Sequence, residues 1–265
     1  MRRGQRPTAN LADRAYEQLR AMAITYQFRP LERLAEADLV KRLKVSRTPI
    51  REALNRLVTE GFLTFTPNRG FQCRPLDAKE IFDLYEVRRA LEATAASLAV
   101  ERASDAELDE LEAFLTRSRS APADASVVDL VRYDEEFHER IATLSRNGEL
   151  LRILQNINAR IRFCRWIDME NGRRTATQNE HAEMLAALRA RDAGRCVAAM
   201  HSHIARRLDQ IVDVIREGYA RIYMGAYTQP RASRGEADEA PPAPTRPARA
   251  PRARTPRPRA AATKS

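Results

Sequence analysis

The chain has 265 residues and a mass of 30.1 kDa, which suits one large domain or two small ones with a tail. Apolar residues at 43% exclude global disorder, and only 9 glycines with 6% aromatics favour helices over a β-sandwich or barrel. The net charge of +10 is unevenly spread: +8 in residues 1–76, −4 in 77–228 and +6 in 229–265, the asymmetry expected when one domain meets a polyanion and the other does not.

No apolar run reaches about 18 residues, so a membrane span is not expected. Residues 1–7 have no apolar stretch behind them and do not read as a secretory signal. Cys73, Cys164 and Cys196 are odd in number and far apart, which fits neither a disulfide framework nor a zinc finger and suits a reducing cytosol.

Leu11, Ala15, Leu19, Met22 and Ala23 recur at helical spacing and predict a helix over 11–27, broken by Arg29-Pro30. Leu34, Leu39, Val40 and Leu43 predict a short second helix over 34–43, and Lys44-Val45 a tight turn. Ser46 is the expected N-cap of a third helix reaching about Thr59, with Pro49 in the first turn and Ile50, Ala53, Leu54 and Leu57 as its apolar stripe. Gly61 suits the left-handed position past that helix. Two β-prone runs, Phe62–Phe65 and Phe71–Arg74, flank the turn residues Pro67-Asn68-Arg69-Gly70. Three short helices and a hairpin outline a winged helix-turn-helix over 10–76.

From Asp77 onward the pattern is helical, with helices expected near 77–102, 105–119, 125–145, 148–170, 175–190 and 192–216. Short joints at Ser104, Asn147-Gly148, Asn171-Gly172 and Arg191-Asp192 predict an antiparallel all-α bundle over 78–216, and a mainly α fold overall. Residues 217–228 are ambiguous. Residues 229–265 hold 8 of the 14 prolines among Arg and Ala and are expected to form a disordered basic tail.

The segment from Val45 to Leu54, V-S-R-T-P-I-R-E-A-L, carries the sharpest signal. A helix entering the major groove needs donors on its first turns. Arg47, Thr48 and Arg51 stand there, and Arg47 and Arg51 are four apart and share a face. Arginine grips guanine edges bidentately, and threonine donates to phosphate or base. The plainer reading is a solvated helix face. The segment resembles the GntR family of bacterial transcription regulators, as do its continuation L-V-T-E-G-F-L from Leu57 to Leu63 and Asn68-Arg69-Gly70. The resemblance covers about residues 10–76. It implies that Arg47, Thr48 and Arg51 contact a double-stranded DNA operator and that Asn68, Arg69 and Gly70 reach a minor groove. Two departures stand out. The family usually has Pro-Gly where this chain has Pro30-Leu31, and often has an arginine contact where this chain has Ala37.

The chain has four histidines: His138, His181, His201 and His203. Asp134 and His138 are four apart on one helix face, beside the apolar positions Phe137, Ile141 and Leu144. His181 is in phase with Met184, Leu185 and Leu188. Carboxylate and imidazole converging inside a bundle suit a divalent transition ion, whereas each histidine taken alone reads as a satisfied core or edge residue. His201 and His203 cannot share a face, and the stripe Val197, Met200, Ile204, Leu208, Ile211 and Ile215 leans toward His201. This second half resembles the FCD ligand-binding domain of the FadR subfamily over about residues 78–216, through Asp134 with His138, Glu180-His181 and Met200-His201-Ser202-His203. The resemblance implies an Asp134/His138/His181/His203 site for zinc, nickel or manganese. It also implies that Arg88 faces the pocket, where it would pair with the carboxylate of a small organic-acid effector. The alternative for Arg88 is an ion pair with a neighbouring glutamate.

The function expected is an effector-controlled repressor or activator, homodimeric and cytoplasmic on the bacterial nucleoid, with no catalytic residues and no membrane partner. A metal-dependent hydrolase using the Asp/His cluster is a second reading. It lacks an H-E-x-x-H motif and leaves the DNA-like segment unexplained. A third is an architectural DNA binder driven by the basic tail.

Overall fold

The fold is seen in a computed structural model that describes residues 8–122, 124–205 and 208–223; the tail expected over 229–265 lies outside the described residues. Helix α1 (Thr8–Ile24) buries Ala15, Leu19, Met22 and Ala23, while Leu11, expected on the same stripe, stays exposed. Helices α2 (Glu36–Leu43) and α3 (Arg47–Thr59) follow, joined through Lys44 in the left-handed region (φ 54). Ile50, Ala53, Leu54 and Leu57 of α3 are fully buried in the same core.

Strands β2 (Leu63–Thr66) and β3 (Gly70–Cys73) form the wing, and β1 (Arg33–Leu34) pairs antiparallel with β3, giving the order β1-β3-β2. The short strand corrects the expectation that Leu34 opens the second helix. Two residues carry no periodicity, and a buried Leu34 fits a strand as well as a helix.

The turn leading to β1 holds Leu31 at φ 65, and its N–H donates to the Cys73 carbonyl at 3.1 Å. A side chain in that region costs about 1–2 kcal/mol, and Leu31, 55% exposed, has little packing to offset it. Leu31→Gly should therefore stabilise the protein by about 0.5–1 kcal/mol, the relief of strain exceeding glycine's extra unfolded-state entropy. A urea midpoint unchanged or lowered in the variant would show the turn to be unstrained.

The second half comprises α4 (Ala78–Arg102), α5 (Asp105–Arg119), α6 (Val127–Leu144), α7 (Gly148–Glu170), α8 (Arg174–Arg189), α9 (Ala193–Ile204) and α10 (Leu208–Tyr223). Their starts are written locally. Asp77, Ser104, Ser126, Asn147 and Asp192 each accept a bond from the backbone N–H three residues on, and Ser104 with Glu107 completes a capping box. Helix α4 packs against α6, α7 and α9, and α8 against α5 and α9. Among the described residues no helix is long and apolar enough to cross a membrane.

The single helix expected over 192–216 is two. Helix α9 stops at Ile204, and Ala205 is extended (φ −54, ψ 123). No glycine or proline marks the break, and the apolar spacing from Met200 to Ile215 runs straight through it. The change of direction lays α10 across α4 and α7. There Gly218 lies against Phe163, whose ring carbon would be 3.2 Å from an added Cβ, and Arg221 sits 5.4 Å over the Trp166 ring.

The two halves have separate cores but share a seam. Ala159 of α7 belongs to the winged core, and Leu76 to the helical one. Tyr26 meets Phe163 edge-on at 5.7 Å, Asn156 donates to the Glu60 carbonyl at 3.1 Å, and Glu80 accepts from both Arg74 and Arg160. Gly61 (φ 84) lets the Arg160 guanidinium pass 2.9 Å from where a Cβ would stand. From α10, Tyr219 accepts from the Leu76 N–H at 3.3 Å and Tyr223 donates to the Pro30 carbonyl at 3.3 Å.

Candidate nucleic-acid interface and metal centre

The first two turns of α3 present Arg47 and Arg51 to solvent, with side chains 71% and 59% exposed, and Thr48 beside them is exposed as well. Glu36, from the first turn of α2, lies 3.7 Å from the Nε of each arginine. Ser46 occupies the N-cap, yet its hydroxyl takes no bond from the first turn, and that turn holds no acidic residue. The capping bond expected from sequence is thus missing. The open amides at a positive helix end suit an anion such as a phosphate. At the wing tip Asn68 (φ 64) and Arg69 are exposed, and Gly70 (φ 78) opens β3. Ala37 exposes only a methyl where the resemblance had an arginine.

In the helical half, Asp134 and His138 come from α6, His181 from α8 and His203 from α9. One ligand atom of each lies within 4.8 Å of the others. Oδ1 of Asp134 is 3.8, 3.4 and 4.0 Å from Nε2 of His138, His181 and His203, and the Nε2 atoms of His138 and His203 are 3.0 Å apart. His201 is exposed. Within α9 alone, Cys196, Met200 and His203 follow i, i+4, i+7 and face inward; the lean toward His201 came from running the stripe through a break.

Two imidazoles are oriented from behind. Nδ1 of His138 donates to Glu92 of α4, and Nδ1 of His203 to Glu180 at 2.6 Å. A carboxylate on Nδ1 fixes the proton there and turns the Nε2 lone pair inward. Phe137 stacks on the His181 ring at 4.0 Å between centroids, and Nε2 of His181 is buried without a hydrogen-bond partner among the described residues. An orphaned nitrogen of that kind is costly. Three inward Nε2 atoms and one carboxylate oxygen are the donor set that a divalent transition ion satisfies.

Arg88 is buried, and the neighbouring glutamate is the expected partner it meets. Its Nε donates to Glu92 at 2.5 Å, the neighbouring-glutamate pairing, while its Nη2 is buried without a hydrogen-bond partner among the described residues. It lines a cavity of about 30 Å³ with Tyr85, Asp134, Arg165, Thr177 and His203. Sequence reasoning missed Glu92 and Arg165. The available signal was a charged residue in phase with buried neighbours, as Arg88 and Glu92 are with Tyr85, Ala95 and Ala99 on α4.

Burial pushes the His138 imidazole from its ordinary 6.5 down to about 3, against the pull of Glu92. Burial also lowers His181, opposed by Asp134. Burial would raise the carboxyls of Asp134 and Glu92. Arg165 and His181 hold Asp134 well below 3.8 instead, and Arg88 and His138 hold Glu92 below 4.5. At neutral pH His138 and His181 are therefore neutral imidazoles, and Asp134 and Glu92 ionised carboxylates, the states that ligation requires. On acidification the unfolded chain takes up the His138 proton near 6.5, whereas in the folded protein that imidazole does not until about 3. Below about 4 the carboxylates act in the same direction. The metal-free protein should lose about 1 kcal/mol per pH unit from His138 once below pH 6.5. Urea midpoints between pH 7.5 and 5 in chelator check this, and a flat profile would mean solvated rings.

Known proteins share this architecture. Residues 11–72 match the model of the gntR family of bacterial regulatory proteins, and residues 83–206 match the FCD domain. The "Nta operon transcriptional regulator" of Aminobacter aminovorans is 46% identical over 213 residues, 80% of this chain and 100% of that protein. The chain belongs to the GntR family. This GntR-family protein is a DNA-binding transcriptional regulator with an FCD domain as its second half. The "HTH-type transcriptional repressor GlaR" of Escherichia coli K12 is 30% identical to it over 204 residues, 71% of this chain and 90% of that protein. The solved structure of E. coli McbR/YncC shares the fold of the GntR-family chain, with a TM-score of 0.59 at 22% identity, covering 82% of this chain and 98% of that one.

Proposed function

We propose that the chain is a homodimeric repressor acting in the bacterial cytoplasm, on the nucleoid, whose grip on its operator is set by a metal-anchored organic acid. Arg47, Thr48 and Arg51 read the major groove, with the open N-terminus of α3 on phosphate, and Asn68, Arg69 and Gly70 of the wing enter a minor groove. Asp134, His138, His181 and His203 hold zinc, nickel or manganese. The observation that carries the sensing half is the meeting of these four side chains from three helices around an unpartnered, buried His181 nitrogen. The ion supplies a Lewis-acidic anchor for a carboxylate, and Arg88, with a donor to spare beside it, supplies the second grip. The seam along α7 gives the site a route to the winged half.

The hydrolase reading needs a free base facing the ion. Glu92 and Glu180 are each committed to an imidazole, Glu135 to Arg162 and Glu136 to Arg140. The architectural reading rests on the tail, outside the described residues.

The test is metal analysis of the purified protein, then thermal shifts with small carboxylic acids. About one ion per chain, and melting that rises with acid only when the ion is present, is the expected result. A protein that neither retains nor rebinds zinc, nickel or manganese would reject the sensing half.

A further inference from the structure

Glu92 belongs neither to the operator-reading residues nor to the four ligands, yet it is an acid 1% exposed in the middle of α4. Both its oxygens are taken. One meets Nδ1 of His138, and the other accepts from Nε of Arg88 at 2.5 Å. Arg88 is similarly buried, keeps Nη2 without a hydrogen-bond partner among the described residues, and lines the cavity beside Asp134 and His203. A single carboxylate thus stands between the group that faces the ion and the group that faces the anion.

We infer that Glu92 is a positioning residue that makes ion binding at His138 and anion binding at Arg88 depend on each other. This rests on the metal centre proposed above. The two donors compete for one carboxylate. Charge drawn toward Arg88 is withheld from His138, whose Nε2 is then the weaker ligand. An anion on Nη2 neutralises part of the guanidinium, so Glu92 gives more to His138 and the ligand strengthens. In the other direction, His138 with an ion on Nε2 grips Glu92 more tightly, and Arg88 turns more of its charge to the anion. Such coupling is reciprocal, with typical factors of about 5 to 150. Glu180, the counterpart behind His203, is 35% exposed and paired with a similarly exposed Arg173, so water screens it. The burial of Glu92 is what gives its coupling weight.

The test is the zinc affinity of the full-length protein, by competition with a chromophoric chelator at fixed pH. Glu92→Gln offers one acceptor to two donors and should weaken zinc about 10- to 100-fold. Arg88→Met, which keeps the apolar stem and removes the competitor, should tighten zinc. Glu180→Gln should change it less than Glu92→Gln. Opposite signs at Arg88 and Glu92 are not what loss of packing produces, and the Arg88→Met sign decides the matter if Glu92→Gln does not fold. Zinc bound equally by wild type and Glu92→Gln, or weakened by Arg88→Met, overturns the inference while leaving the metal centre intact. A wild-type protein without zinc affinity overturns both.

Discussion

Alanine at Arg47 or Arg51 should weaken operator binding by about 1–3 kcal/mol each, roughly fivefold to more than a hundredfold, and relax sequence preference at the bases they face. Affinity for unrelated duplexes should fall much less, because non-specific attraction is spread over every cationic group of the +8 segment. The size of the effect follows from placement. Both guanidiniums stand on the first turns of α3, largely in solvent, and their acidic neighbour Glu36 is 3.7 Å away, too loose to hold them against a guanine edge. Anisotropy titrations with an operator selected from random duplexes, at several salt concentrations, separate the two terms. Operator affinity unchanged in both variants would remove α3 from the reading head.

Asp134→Ala should be the most damaging single change in the helical half. Asp134 is 5% exposed, and its Oδ2 lies 3.3 Å from Nε of Arg165, a guanidinium just as deeply buried. Glu135 is a more distant partner for that cation at 3.7 Å. Stripping the carboxylate leaves a buried charge undercompensated, which typically costs about 3–5 kcal/mol. The same change removes the oxygen that faces three imidazole nitrogens, so zinc affinity should collapse as well. Urea unfolding of the metal-free variant isolates the first effect. Asp134→Asn, which keeps the shape, should recover part of the stability and little of the affinity. Stability within 1 kcal/mol of wild type for Asp134→Ala would mean that water reaches Arg165.

The winged half was readable because its information is local. Gly61 past α3, the turn at Asn68 to Gly70 and the stripe Ile50, Ala53, Leu54, Leu57 each declare themselves within a few residues. What escaped was information of other kinds. The pairing of Arg33 and Leu34 with β3 is decided by a partner nearly forty residues away. The break at Ala205 has no breaker residue and leaves the apolar period undisturbed. For the site, spacing picked out Asp134 with His138 and the inward phase of His181, because each is a property of one helix. Convergence of three helices is tertiary and came from resemblance. Glu92 and Arg165 were passed over because a single charge on a helix reads as surface, although the phase of Glu92 with Tyr85, Ala95 and Ala99 marks a buried face.

Helix α7 has a consequence for engineering. Ala159 fills the winged core, Asn156 clasps the Glu60 carbonyl and Arg160 lies over Gly61, while six residues on from Ala159, about 9 Å along the same rod, Arg165 holds Asp134. The reading head is therefore not a cassette that ends at residue 76. A biosensor chimera cut at the linker would leave a dent where Ala159 sat, and the foreign receptor would have no handle on the operator-binding half. Transplanting the outward surface of α7 from Asn156 to Arg160 together with residues 8–76 keeps both the plug and the handle.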